Sequence, residues 1–181
     1  INAIQQMSHV LAEFENLQQR LYARRPHPLL GYGVIQPVLL EGGSELFTTP
    51  AKCVLQLEQR TLPGETLEVL EQEISDLLDD VKVDHFQARF RTLLHREPFE
   101  IAEDAEIVGL LQSVTKQNNL SSKIDGAPYW MDSALLAAKG IPTVIFGPSG
   151  GGMHATNEWV DVDSVNTCAQ VLLEVAKEFC L

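Results

Sequence analysis

Basic residues are scarce in this chain. Thirteen Lys and Arg stand against 25 Asp and Glu, a formal net charge of -12, and none of the basic residues falls between Lys139 and Lys177. A nucleic-acid-binding surface needs a basic stripe to neutralise phosphates, so that class of function is excluded. Cysteine is scarce too. Cys53, Cys168 and Cys180 are too few and too scattered for a disulfide framework. Cys53 and Cys168 sit inside apolar patterns and read as small buried hydrophobes, which points to a reducing compartment and a cytoplasmic location. No apolar run approaches the roughly 20 residues of a membrane span, and there is no signal-peptide pattern. An initiator Met is also missing. The chain opens on Ile1-Asn2-Ala3-Ile4, already inside a helical pattern, so the expectation is that a stretch upstream is absent. Repeats and low-complexity tracts are not found. What is there is 181 residues, 45% apolar and 21% charged, an ordinary globular composition with length for one domain or two small ones.

Apolar residues Ile4, Met7, Val10, Leu11, Phe14, Leu17 and Leu21 step by three or four and predict an amphipathic helix over 2–22, capped by Asn2 and ended by Pro26 and Pro28. Residues 31–41 read as a strand in which Pro37 demands an edge or a bulge. Residues 52–60 alternate Cys53, Leu55 and Leu57 against Gln56 and Glu58, a half-buried strand that forms a hairpin with the first. A second helix follows on Leu67, Leu70, Ile74, Leu77, Leu78 and Val81, and residues 83–94 alternate like a third strand. With one more strand ahead of Ile1 the order becomes β-α-β-β-α-β, the ferredoxin-like split βαβ arrangement. Beyond Pro98 the pattern changes. Helices are predicted at about 104–117, 130–139 and 163–180, the last capped by Asp163 or Ser164, with a buried strand at Thr143–Phe146 and a glycine-rich loop at 147–152. Helix, helix, strand, loop, helix belongs to an α/β layer with a parallel sheet.

The segment Gly147-Pro148-Ser149-Gly150-Gly151-Gly152-Met153-His154-Ala155-Thr156-Asn157-Glu158-Trp159-Val160 carries the most chemistry. It follows the predicted strand, at the carboxyl end where open α/β sheets bind ligands, and its glycines let backbone N–H groups come close to a substrate. A neutral imidazole there, with Glu158 four residues on, suits zinc, although a lone loop histidine is more often simply solvated. Neither the P-loop nor the GxGxxG pattern is present, and Gly-Pro-Ser-Gly-Gly around Ser149 is not a nucleophile elbow.

Four segments in one order carry a family resemblance. Gly140-Ile141-Pro142-Thr143-Val144-Ile145-Phe146-Gly147-Pro148 followed by the His154 loop resembles the C-terminal signature of the M20 metallopeptidases, which include acetylornithine deacetylase, succinyl-diaminopimelate desuccinylase, aminoacylase and carboxypeptidase G2-type enzymes. Glu58-Gln59-Arg60-Thr61-Leu62-Pro63-Gly64 is similar to the family's D-x-R-x-x-P-G segment, Trp130-Met131-Asp132-Ser133 to its T-D-A/S-D segment, and Asn2-Ala3-Ile4 to the start of its first lid helix. The resemblance implies a catalytic α/β domain interrupted by a ferredoxin-like lid that usually dimerises. Residues 1–95 then correspond to the lid/dimerisation domain without its first strand, and 96–181 to the distal part of the catalytic domain.

It also implies roles. His154 resembles the last ligand of a two-zinc centre, where cobalt or manganese is also possible. Arg60 resembles the lid arginine that contacts a substrate carboxylate, and Asn157 and the backbone of Gly151 and Gly152 resemble substrate contacts. Asp132 is either a carboxylate that orients a metal ligand from behind or the cap of the following helix, and Glu158 is either of that kind or structural. The other ligands and the general base would lie upstream, so no catalytic base is assigned here. Glu58 replaces the usual Asp, and Phe47 stands where many members have Asn. His9, His27, His85 and His95 match no ligand position. The function implied is metal-dependent hydrolysis of the amide of an N-acyl amino acid or small peptide, by a homodimer that binds neither nucleic acid nor membrane. The alternative is a non-catalytic dimerisation or interaction module derived from such an enzyme.

Overall fold

The computed structural model describes residues 1–180 as a mixed α/β chain of two compact units. One holds Ile1–Pro98 and Gly126–Trp130, the other Phe99–Asp125 and the chain from Met131 onward.

In the first unit, α1 runs Ala3–Tyr22. Asn2 caps it, its Oδ1 accepting from the N–H groups of Ile4 at 3.0 Å and Gln5 at 3.2 Å. Strands β1 (Val34–Gly42) and β2 (Cys53–Arg60) pair antiparallel as the predicted hairpin, from Val34 opposite Arg60 to Gly42 opposite Cys53. Pro37 pairs with Leu57 and Leu39 with Gln56, so Val38 is an extra residue bulged out where proline removes a donor from the ladder. Along β2, Cys53, Leu55, Leu57 and Gln59 are half-buried, while Val54, Gln56, Glu58 and Arg60 are exposed. Helix α2 spans Leu67–Asp80. Val10, Phe14, Leu17 and Leu21 of α1, Ile35 of β1, and Leu77 and Val81 from the end of α2 form one buried cluster, with Leu55, Leu57 and Ile74 packed against it. Gln18 ties α1 to the start of β1: its Nε2 donates to the Gly33 carbonyl at 3.2 Å and its Oε1 accepts from Ile35 N–H at 2.8 Å. Arg24 clamps the entry to α2 through ion pairs with Glu65 and Glu73.

The predicted third strand is not formed. Residues 83–94 make no ladder; Val83 and Phe86 pack on the core, and Phe90, Leu93 and Leu94 are exposed. In a split βαβ sheet this segment pairs with the strand expected ahead of α1, and no described residue offers that edge. Alternation alone does not make a strand when the backbone has nothing to bond.

In the second unit, α3 (Glu106–Gln117) packs on α5 (Val162–Cys180) through Val114, Val171 and Val175, with Ile107, Leu110, Leu111 and Phe146 around them. Thr115 is buried because its hydroxyl donates back to the Leu111 and Gln112 carbonyls. Helix α4 is a short turn, Ser133–Ala137, inside the longer helix expected. Residues 143–146 belong to no strand, and Ile145 is exposed, so the expected buried parallel strand is also overturned. The reason is again pairing: a buried parallel strand needs neighbours on both edges. Cys168 is buried as expected, Cys53 is half-buried, and Cys180 is exposed. No helix among the described residues is long and apolar enough to cross a membrane.

Leu17 and Leu77 are 1% and 0% exposed, and Phe47, between β1 and β2, is 99% exposed. Leu17→Ala or Leu77→Ala is expected to cost about 2–5 kcal/mol in urea unfolding, and Phe47→Ser to stay within about 0.5 kcal/mol. Equal losses at all three positions would contradict this core.

Candidate functional site

The His154 loop is built from the N-terminus of α5. Asp161 caps that helix, its Oδ1 accepting from the N–H groups of Asp163 at 2.9 Å and Ser164 at 3.2 Å. The cap is therefore Asp161, not Asp163 or Ser164. In the run Asp161-Val162-Asp163-Ser164 three residues have capping side chains, and the first is the one whose backbone is tied outside the helix. Asp161 N–H donates to the Ser149 carbonyl at 2.9 Å, and Ser164 Oγ accepts from Ser149 N–H at 2.9 Å. Ser149 is thus pinned to the helix start on both its backbone groups.

Above this clamp, β3 (Gly150–Gly151) pairs antiparallel with β4 (Trp159–Val160), closing 150–160 as a hairpin. Its glycines are required by the chain itself. A Cβ on Gly150 would lie 2.5 Å from the Trp159 carbonyl oxygen, and one on Gly152, whose φ is +69°, would lie 2.2 Å from the Asn157 carbonyl oxygen. On Gly151 it would meet the Trp159 indole at 3.0 Å. The expectation that these glycines serve close approach of a ligand is thus accompanied by a nearer cause, the close approach of residues 157–160.

At the tip, Gly152 accepts from Ala155 N–H at 2.8 Å, making a turn with His154 in its third place at φ 62°. The left-handed region is uncommon for a residue with a Cβ and costs roughly 1–2 kcal/mol. The hairpin holds His154 there while its imidazole stays exposed and makes no hydrogen bond or ion pair among the described residues. Asn157 and Glu158 are exposed on the returning limb. The structure therefore brings together Gly151, Gly152, His154, Asn157 and Glu158 in one loop. Asp132 is exposed at the start of α4, in the cap position but with no side-chain cap bond.

Arg60 belongs to the first unit, at the end of β2. Glu58 stands two residues before it on the same exposed face, and Gln36 lies directly across the ladder from Glu58. Arg60 Nε donates to Glu58 Oε1 at 3.2 Å, and Gln36 Nε2 donates to Glu58 Oε2 at 2.7 Å. The Gln36 amide is the main influence holding the Glu58 carboxyl below the usual carboxylate range; slight burial opposes it, and the Arg60 bond and charge add to it.

Among the described residues no group of three or more His, Cys, Asp or Glu could hold a metal ion. A catalytic zinc takes about three protein ligands. The donors present therefore do not fit a complete metal centre, and His154 is available as a single arm. Asp161 and Trp159 shape the loop together with Ser149 and Ser164, yet sequence reasoning gave Asp161 and Trp159 no role. The place of Asp161, directly after the apolar pair Trp159-Val160, was a partial signal; the Trp159 indole lying over Gly151 had none.

Three outcomes test the loop, α3 and the β2 face. Gly152→Ala is expected to cost at least about 1–3 kcal/mol through its left-handed φ, with the Asn157 carbonyl 2.2 Å from the new Cβ adding to it, seen as faster hydrogen exchange at Asp161 N–H. Gly109→Ala, in α3 with open space around it, is expected to stabilise by about 0.5–1 kcal/mol. Because the folded pKa of Glu58 is depressed, its contribution is present above the unfolded value of about 4.3 and is lost as pH falls through the folded value. Glu58→Gln should flatten that acid limb of the stability profile, and an unchanged limb would refute the assignment.

Comparison with known proteins bears on the whole chain. The family model described as Peptidase family M20/M25/M40 matches residues 7–178. Acetylornithine deacetylase of Proteus mirabilis is 24% identical over 192 residues, covering 100% of this chain and 46% of that protein. The Myxococcus xanthus enzyme of the same name is 25% identical over 158 residues, covering 86% of this chain and 39% of its own. The chain thus spans less than half the length of these relatives. In fold it is similar to aminopeptidase PepT from Bacillus cereus (TM-score 0.69, 15% identity, 100% of this chain and 46% of that one). It is also similar to a Staphylococcus aureus tripeptidase (TM-score 0.63, 18% identity, 89% of this chain and 44% of that one). A match running through both units, from α1 to the end of α5, places the chain in peptidase family M20/M25/M40.

Proposed function

We propose that this chain is the C-terminal part of a metal-dependent amidohydrolase that cleaves the amide of an N-acyl amino acid, in the manner of a deacetylase, or of a small peptide. The observation that carries this reading is the His154 loop: a matched family segment whose backbone holds an imidazole in a left-handed turn, exposed and unbonded. In this reading residues 1–95 are a ferredoxin-like lid and 96–181 the distal part of the catalytic domain. The protein is cytoplasmic and acts as a homodimer through the lid. The exposed apolar stretch Val38, Leu39 and Leu40 on β1 supports such an association.

His154 is one ligand to zinc, with cobalt or manganese as substitutes. His154 would hold the metal together with ligands from outside this chain, and the chemistry supplied there would be a lowered pKa of bound water and a polarised scissile carbonyl. This chain's own residues bind and orient. Arg60 takes the substrate carboxylate, for which a planar guanidinium fork is suited. Asn157 and the N–H groups of Gly151 and Gly152 supply further polar contacts, and Asp132 and Glu158 steady the ligand side. The remaining ligands and the general base come from a longer protein.

A second reading is favoured by the lack of a three-ligand group among the described residues: taken alone, the chain is a dimerising module without activity. Both are tested by assaying metal-dependent release of ornithine from N-acetylornithine, in the 181-residue chain and in the longer protein that carries it. Activity is expected only in the latter. His154→Ala should lower kcat/KM there by more than about a hundredfold, beyond the 10–100-fold of an outer-shell change. Full activity in that variant would reject the ligand role, and no activity in any longer form would favour the module.

A further inference from the structure

The exposed face of the β1–β2 hairpin carries a three-residue relay. Glu58 and Arg60 are two apart on β2, so they share a face, and Gln36 is the cross-strand partner of Glu58. Each oxygen of the Glu58 carboxylate has its own donor: Oε2 takes the Gln36 amide at 2.7 Å, and Oε1 takes Arg60 Nε at 3.2 Å. A guanidinium can meet a carboxylate side-on, through Nε and one terminal nitrogen, or end-on, through the two terminal nitrogens. Glu58 sits on the side-on edge.

We propose that Gln36 and Glu58 are positioning residues that fix the Arg60 guanidinium so that it receives the substrate's carboxylate end-on, through its terminal nitrogens alone. This rests on the reading of Arg60 given above and adds the geometry of its contact. The Glu58 side chain is long enough for one carboxylate to reach both across the strand and along it. Gln36 holds the far oxygen, so that the near one stays turned to Nε. Without the relay, the long arginine side chain would sample many rotamers on an open face, and ordering it would fall on the substrate.

The test uses the 15N-labelled 181-residue chain, with arginine Nε–H signals as reporters and N-acetylglycine as the carboxylate probe. Arg60→Lys assigns the Arg60 signal. Glu58→Ala is expected to shift that signal and to speed its exchange with water by about tenfold, as befits loss of a charge-assisted bond. Gln36→Leu leaves the net charge unchanged, so a probe affinity weakened by roughly three- to tenfold reports orientation rather than field. Saturating probe should leave the Nε–H signal of the unmodified chain in place. The inference is overturned if neither substitution moves the Nε–H signal, or if the probe drives that signal to its position in Glu58→Ala. Probe affinity indifferent to Arg60→Lys would instead overturn the carboxylate role of Arg60, and the inference with it.

Discussion

Backbone pairing is the constraint on which the rest of this structure depends. Every non-proline residue brings one N–H and one C=O that must be bonded or left to water. β1 and β2 satisfy theirs on each other, and β3 and β4 do so over two residues each. Residues 83–94 and 143–146 have β-forming composition and no edge to join, and they form no strand and stay part-exposed. The consequence spreads to side chains. Phe90, whose alternation with Phe86 and Ala88 predicts burial, remains in solvent, as do Leu93, Leu94 and Ile145. A strand can bury one face only if the sheet that would carry it exists.

The helices obey a different rule, and this is why they were legible. Their bonds are internal, so a 3.6-residue apolar stripe needs nothing remote except a surface to cover. The stripe through Val10, Phe14, Leu17 and Leu21, and the one through Cys168, Val171 and Val175, could be read from spacing alone. Asn2 was legible as a cap for the same local reason. Asp161 was less so, since Asp163 and Ser164 competed for the role and the bonds its Oδ1 accepts from their N–H groups decide it. The hairpin was readable because its two strands are neighbours in sequence. Its bulge was readable because Pro37 cannot donate.

The residues of the candidate site divide along the same line. The type and place of His154 hinted at chemistry, but the roles expected of it and of Arg60 came only from family resemblance, because a ligand or a substrate contact is defined by what it faces. The glycines show how one residue can satisfy two accounts. They were read as making room for a ligand, and the coordinates show Trp159 and Asn157 already occupying the room beside their Cα atoms. Gly150 and Gly152 are fixed by steric necessity within the loop whatever the substrate is.

That necessity explains how a lone imidazole is presented without side-chain support. Many ligating histidines are oriented by a hydrogen bond to the second ring nitrogen; His154 makes none among the described residues. Its direction is set instead by the backbone, by a turn closed from Gly152 to Ala155, a two-rung ladder below it, and Ser149 bonded to Asp161 and Ser164 at the head of α5. Arg60 uses the opposite means, donating to the Glu58 carboxylate, which Gln36 holds in turn, on an open sheet face. The difference follows from length. An imidazole has two rotatable bonds, so placing its Cα confines its nitrogens to a few rotamer positions. A guanidinium ends a long flexible chain, and no backbone geometry can aim it without neighbours to hold the far end.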